Sequence, residues 1–174
     1  MRRKEREVTA RGEIEEILRA CKVCHLAVNG EDGVPYIVPL NFGYSWQGTW
    51  PVLYMHCAPE GQKLELLRRD NRVAFEMDCG YAPEGQADLA CTYTNRYASL
   101  IGAGDCEIVT AEDEKEAGLR HLMQHVIGAR DWKFDRTALA HTVLLRVHVR
   151  KLTEKKHSPD GRILQVNLEQ ARKD

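Results

Sequence analysis

The residues with the clearest chemical potential lie between a predicted strand and a predicted helix, within residues 53–67. An apolar run ends at His56, Pro59 and Gly61 interrupt the chain, and Lys63 then falls in the first turn of a short helix. A helix N-terminus presents unpaired N–H groups and the positive end of a dipole, to which a lysine adds a cation. The pattern indicates a phosphate-binding position, and the alternative is an ordinary turn with a solvated lysine.

Two other patterns match known chemistries only in part. Cys21, Cys24 and His25 have the C-x-x-C-H spacing of covalent haem attachment, but no apolar signal segment leads the chain, so packing cysteines are favoured. Zinc would need a second cysteine pair at matching spacing. His121 and His125 are four residues apart on a predicted helix, yet the glutamate that zincins place after the first histidine is missing. We therefore predict no metal site.

Composition excludes several classes of function. The chain has 174 residues, enough for one domain with a sizeable core. A formal net charge of -1 leaves no basic stripe for nucleic acid, and no apolar run reaches membrane-spanning length. Six cysteines without a signal segment are expected to remain thiols. We expect a cytoplasmic protein with no nucleic-acid partner and no membrane partner.

Hydrophobic periodicity predicts roughly six strands and three helices. The predicted strands are residues 24–28, 36–44, 52–56, 73–78, 92–109 and 143–150. The predicted helices are residues 13–21, a short helix from Lys63 to about Asn71 with Leu64 and Leu67 facing inward, and a helix capped by Thr110 and stopped by Gly128. Residues 79–87 are predicted to be a loop. Hairpin-length links favour a mainly β (or α+β) fold with a closed or nearly closed antiparallel barrel.

Proline and glycine mark two unusual strands. Pro39 lacks a backbone donor, so it marks a point in residues 36–44 where the backbone could receive the polar edge of a ligand. Gly102 and Gly104 lie on the same face of residues 92–109, and glycines weaken a strand unless a close neighbour needs the space.

Four stretches together resemble a known family. Residues 24–28, 35–44, 53–64 and 97–104 resemble the nitroimidazole-resistance (Nim) proteins of the FMN-binding split-barrel superfamily, whose best-known member is pyridoxamine phosphate oxidase. The resemblance implies a six-stranded antiparallel split barrel of Greek-key type, flanked by about three helices. It covers about residues 1–152 and leaves residues 153–174 as a tail, in which residues 163–166 could add an edge strand.

The same resemblance implies a cofactor and a set of site residues. It predicts a homodimer with FMN bound at the subunit interface. The implied residues are Val38, Pro39, Leu40 and Asn41 along the flavin ring, Gln62 and Lys63 at the phosphate, His56 near the flavin as the catalytic candidate, and Tyr97, Ser99 and Gly102 on a strand near the site. Relatives often carry a second basic residue where this chain has Gln62.

The implied activity is that of an FMN-dependent oxidoreductase, which passes electrons from reduced flavin to a small acceptor such as a nitroaromatic. The chain has no recognisable counterpart of the arginine-rich substrate end of the true oxidase, so pyridoxamine phosphate is not the expected substrate. Two alternatives remain open: a non-catalytic haem- or flavin-binding protein, with His25, His56 or His148 as a haem ligand, and a deazaflavin-dependent reductase.

Overall fold

The computed structural model describes residues 6–158. The elements, in chain order, are α1 (Arg11–Ala20), β1 (Val23–Val28), β2 (Tyr36–Gln47), β3 (Trp50–Cys57), α2 (Gln62–Arg69), β4 (Arg72–Gln86), β5 (Leu89–Val109), α3 (Glu112–Val126), α4 (Arg136–Ala140) and β6 (Val143–His157). The strands close into a barrel in the order β1-β2-β3-β6-β5-β4, and β1 with β2 and β4, and β3 with β2 and β6, pair antiparallel. The predicted mainly β barrel is therefore confirmed. No helix of the described part is long and apolar enough to span a membrane.

The chain divides into two compact units. The barrel unit comprises residues 22–76 and 101–152. The arm unit comprises, in its described part, residues 6–21, 77–100 and 153–158, which include α1 and the distal parts of β4, β5 and β6.

The interior of the barrel unit is built by strand alternation. In β1, Cys24, Leu26 and Val28 are fully buried, while the residues between them face outward. The other strands contribute buried residues in the same way, notably Phe42, Leu53, Met55, Phe75, Leu145 and Val147. Each buried aliphatic or aromatic side chain contributes about 1.5–3 kcal/mol through removal from water.

A second apolar layer lies under α3 on the outside of the barrel. Tyr54 and Leu144 are buried there with Leu119 of α3 and Leu139 of α4. The helix approaches so closely that a Cβ at Gly43 would lie 2.3 Å from the backbone nitrogen of Leu122. Glycine at this position allows the backbones of strand and helix to meet.

The sequence misjudged three boundaries. Residues 79–87 are not a loop, since β4 continues to Gln86. Their turn-forming composition is tolerated in the arm unit because Gly85 lies beneath the ring of Tyr93, a cross-strand aromatic–glycine contact. Thr110 does not cap α3: the N-cap is Ala111, without a side-chain cap. The last strand extends past residue 150 to His157.

One helix was missed and one predicted strand is untested. The five-residue α4 begins after Asp135, whose carboxylate accepts a hydrogen bond from the backbone N–H of Ala138 at 2.9 Å. The helix is too short for periodicity to reveal. The possible edge strand at residues 163–166 lies outside the described residues.

Candidate functional site

The strand β2 changes its hydrogen-bonding partner half-way along its length. Residues 36–41 pair with β1, whereas Phe42–Gln47 pair with β3. Among the described residues, the edge of residues 36–41 opposite β1 carries no paired strand. Backbone N–H and C=O groups on such an edge need other partners, which a planar heterocycle with alternating donors and acceptors can provide. The predicted ring-binding residues Val38, Pro39, Leu40 and Asn41 all lie in this open half.

The open half is also accessible. Val38 and Leu40 are partly buried on the inner face, and Pro39 and Asn41 are exposed on the outer face. The Asn41 side-chain amide donates to the carbonyl of Lys22 at 3.0 Å, so this side chain is already used by the protein. Its backbone remains the part that could meet a ligand, as the resemblance implied.

The helix α2 begins at Gln62, with Lys63 in its first turn as predicted. Gly61 precedes it with φ 129, a conformation that favours glycine, and makes no side-chain cap. Leu64 and Leu67 are buried, together with Leu66. The first N–H groups of α2 are therefore not capped by a side chain and are suited to an anion.

The Lys63 side chain is half-buried and donates a hydrogen bond to the thiol of Cys57, the last residue of β3. Burial raises the pKa of the Cys57 thiol above 9.0, and the Lys63 ammonium partly offsets that rise. Burial raises the pKa of the nearby Cys106 thiol to about 12. Both groups are neutral thiols at pH 7, so neither places a negative charge beside Lys63.

Gln62 faces a different environment from Lys63. It lines a cavity of about 650 Å³ with Tyr36, Glu31, Asp32 and Glu65. Three carboxylates repel a phosphate, although Glu31 is paired with Arg69. Lys63 is not among the residues that line this cavity. A phosphate fits the Lys63 side of the helix start.

His56, the catalytic candidate, is exposed and pairs in the ladder with Leu144 of β6. It directly precedes Cys57, and successive residues of a strand point to opposite faces. Its side chain is therefore on the other face of β3 from the thiol that contacts Lys63. Its role as a proton donor stays a prediction.

The remaining predicted site residues lie on β5. Gly102 is buried in the barrel unit, where an added Cβ would lie 2.2 Å from the ring of Phe75, so packing accounts for this glycine. Tyr97 and Ser99 belong to the arm unit. There the Tyr97 hydroxyl accepts a hydrogen bond from Arg6 at 3.4 Å, and its ring lies 6.3 Å from that of His157.

The partial metal and haem patterns are used in packing and ion pairing. Cys24 is fully buried, and burial raises the pKa of its thiol far above the ordinary value. His25 is exposed and lies 3.1 Å from the carboxylate of Glu76. His121 stacks on Tyr54 at 5.0 Å. His125 contacts Phe42 with ring centroids 4.6 Å apart.

Cys57 was missed as a neighbour of the site. Its residue type gives no signal, and only its position at the end of the strand before Lys63 could have suggested the contact. The acidic cavity was also missed, because it joins the β1–β2 loop to α2 across some thirty residues of chain.

Several solved structures share this fold. A proposed 5-nitroimidazole antibiotic resistance protein from Bacteroides thetaiotaomicron is 29% identical, with a TM-score of 0.74 over 86% of this chain and 85% of that one. A FAD and heme binding protein from Mycobacterium smegmatis has a TM-score of 0.75 at 21% identity, over 97% of this chain and 80% of that one. The flavocytochrome Anf3 from Azotobacter vinelandii has a TM-score of 0.72 at 18% identity, over 100% and 78%.

At 21% and 18% identity, the last two similarities establish the fold alone. The comparison with curated proteins found no match. A family model described as pyridoxamine 5'-phosphate oxidase matches residues 10–156, which include all six strands apart from the last residue of β6. The barrel, in which β2 pairs first with β1 and then with β3, and the helix α2 with Lys63 are described above. Because the family model covers most of the chain, the protein belongs to the pyridoxamine 5'-phosphate oxidase family.

Proposed function

We propose that this protein binds FMN and passes electrons from the reduced flavin to a small acceptor, such as a nitroaromatic compound. The observation that carries the proposal is the open edge of β2 at residues 36–41, in the same unit as the uncapped start of α2 with its half-buried Lys63. The similarity to the proposed 5-nitroimidazole resistance protein supports the acceptor class.

The residues of this chain fit such a cofactor in two parts. The backbone of residues 38–41 would hold the edge of the ring, and the first N–H groups of α2 with the Lys63 ammonium would hold the phosphate. Bound flavin supplies the electron and hydride transfer. The protein orients the ring and limits its exposure to water, and His56 could deliver a proton to the reduced acceptor.

A second copy of the chain is the proposed partner, with the flavin site at the interface. Its support is an outward-facing set of apolar residues around the His25–Glu76 pair, which we call the outer patch and define as Val23, Ala27, Ile37, Pro39 and Ala74. The registers place these residues on one face of neighbouring strands β1, β2 and β4. Ile37 is 60% exposed, which is unusual for a strand isoleucine and typical of a surface that is covered on association.

The visible spectrum of the purified protein, before and after addition of FMN, tests the proposal. We expect flavin absorbance that stays with the protein through gel filtration, and faster reoxidation of prereduced FMN by a 5-nitroimidazole with the protein than without it. A protein that retains no FMN would contradict the cofactor assignment. A Soret band in place of flavin peaks would favour the haem-binding alternative. Retained flavin without faster reoxidation would leave a flavin-binding protein without this activity.

A further inference from the structure

One lysine joins β2 to the helix that covers it. Lys22, the residue directly before β1, is half-buried, and its ammonium donates a hydrogen bond to the backbone carbonyl of His125 at 3.0 Å. The backbone carbonyl of Lys22 in turn accepts a hydrogen bond from the side-chain amide of Asn41, also at 3.0 Å. We call these two hydrogen bonds the Lys22 link. All of its residues belong to the barrel unit.

The helix end of the Lys22 link is a carbonyl that needs a donor from outside the helix. α3 ends at Val126, so the carbonyl of His125 lies in the last turn, where carbonyl groups have no partner within the helix. A lysine ammonium is favourable there because it also meets the negative end of the helix dipole. The hydrogen bond is charge-assisted and therefore stronger than one between neutral groups.

The strand end of the Lys22 link lies where β2 changes its partner. Asn41 is the last residue of β2 that pairs with β1, and Phe42 is the first that pairs with β3. The ring of His125 lies against this point, with its centroid 4.6 Å from that of Phe42 and 5.4 Å from that of Tyr44. Specific contacts therefore join the last turn of α3, the residue before β1 and the change of partner in β2.

We propose that Lys22 is a positioning residue for the cofactor, which holds Asn41 and the open half of β2 in the geometry that receives the flavin ring. The proposal rests on the proposed flavin site. Lys22 acts through Asn41 and does not have to touch the ligand itself. Without the ammonium, the open half keeps its pairing with β1 but loses its connection to α3 through Lys22, so its backbone groups should fluctuate more.

Lys22→Met tests the proposal, because it removes the ammonium and keeps an unbranched side chain. The matched control is Lys115→Met. Lys115 is a half-buried lysine near the start of α3 whose ammonium donates to the backbone carbonyl of Leu139 at 3.2 Å, so the control removes the same kind of hydrogen bond from the other end of the helix. Lys22→Arg keeps a cation and a donor. Hydrogen–deuterium exchange of the FMN-free protein, FMN affinity from flavin fluorescence quenching and urea unfolding are measured for all three variants.

We expect Lys22→Met to speed exchange of the amides of residues 36–41 and to weaken FMN binding about 3- to 10-fold, which is part of the effect of losing one charge-assisted contact. Lys115→Met should lower stability in urea but leave the exchange of residues 36–41 and the FMN affinity within about twofold of wild type. Lys22→Arg should restore both. Equal effects of the two methionine variants would overturn the proposal, and so would a Lys22→Arg protein that behaves as Lys22→Met.

The exchange measurement needs no cofactor, so it separates this proposal from the cofactor assignment. A wild-type protein that binds no FMN would contradict the cofactor assignment and, with it, the role of Lys22 towards the flavin. In a protein that does bind FMN, unchanged exchange of residues 36–41 in Lys22→Met would overturn the role of Lys22 alone.

Discussion

The two halves of β2 have the same backbone conformation but opposite surroundings. Phe42–Gln47 pair with β3, and α3 covers Gly43 so closely that no side chain fits there. Within residues 6–158, residues 36–41 pair with β1 alone, and their outward residues are exposed. The Phe42–Gln47 half is covered on its outer face by α3. The other half exposes backbone groups and apolar side chains. One end of β2 is therefore packed under α3, and the other end is accessible to a ligand.

The largest effect should come from breaking the sealed half. In Gly43→Ala, the new Cβ would meet three backbone atoms of His121 and Leu122 at 2.3–2.4 Å, and these cannot move without shifting α3. We expect a loss of about 2–4 kcal/mol of stability, measured by urea unfolding.

Gly12→Ala is the matched control, because no atom lies within 4 Å of an added Cβ there and the residue is helical. It should be neutral or slightly stabilising, by less than about 1 kcal/mol. Equal stability of the Gly43 variant and wild type would mean that α3 does not seal the strand.

The next effect concerns the outward surface of the open half. A lysine in place of Ile37 puts a charge on the outer patch, so we expect the dissociation constant of the dimer to rise about 30-fold or more. Sedimentation velocity over a concentration series measures it. Ile127→Lys is the control, since Ile127 is 55% exposed but follows α3 instead. An unchanged dimer, or a monomeric wild type, would contradict the proposed interface.

A smaller effect is expected from the phosphate position. Lys63→Ala removes one charge-assisted contact and should weaken FMN binding about 10- to 100-fold, measured by quenching of flavin fluorescence. The control is Arg68→Ala, an exposed cation in the last turn of the same helix. Equal loss in both variants would point to general electrostatics in place of a local contact.

The barrel could be predicted because apolar and polar residues alternate clearly in strands with one buried face, as in β1 and β6. It failed at residues 79–87, where no buried face imposes alternation and a strand forms from glycine-rich sequence through pairing and the Gly85–Tyr93 contact. It recognised Lys63 at the start of α2 from local signals alone. It could not separate the environments of Gln62 and Lys63, because the acidic cavity depends on carboxylates from a distant loop.

Hydrogen–deuterium exchange of β2 with and without saturating FMN tests the central claim most directly. We expect amides of residues 36–41 to exchange more slowly when FMN is present, because their open-edge groups gain partners, while Phe42–Gln47 stay unchanged because the proposed flavin site does not include them. The two halves should be compared in the same sample, at a protein concentration where the oligomeric state does not change. Slower exchange confined to Phe42–Gln47, or no change in residues 36–41 at saturation, would contradict the account.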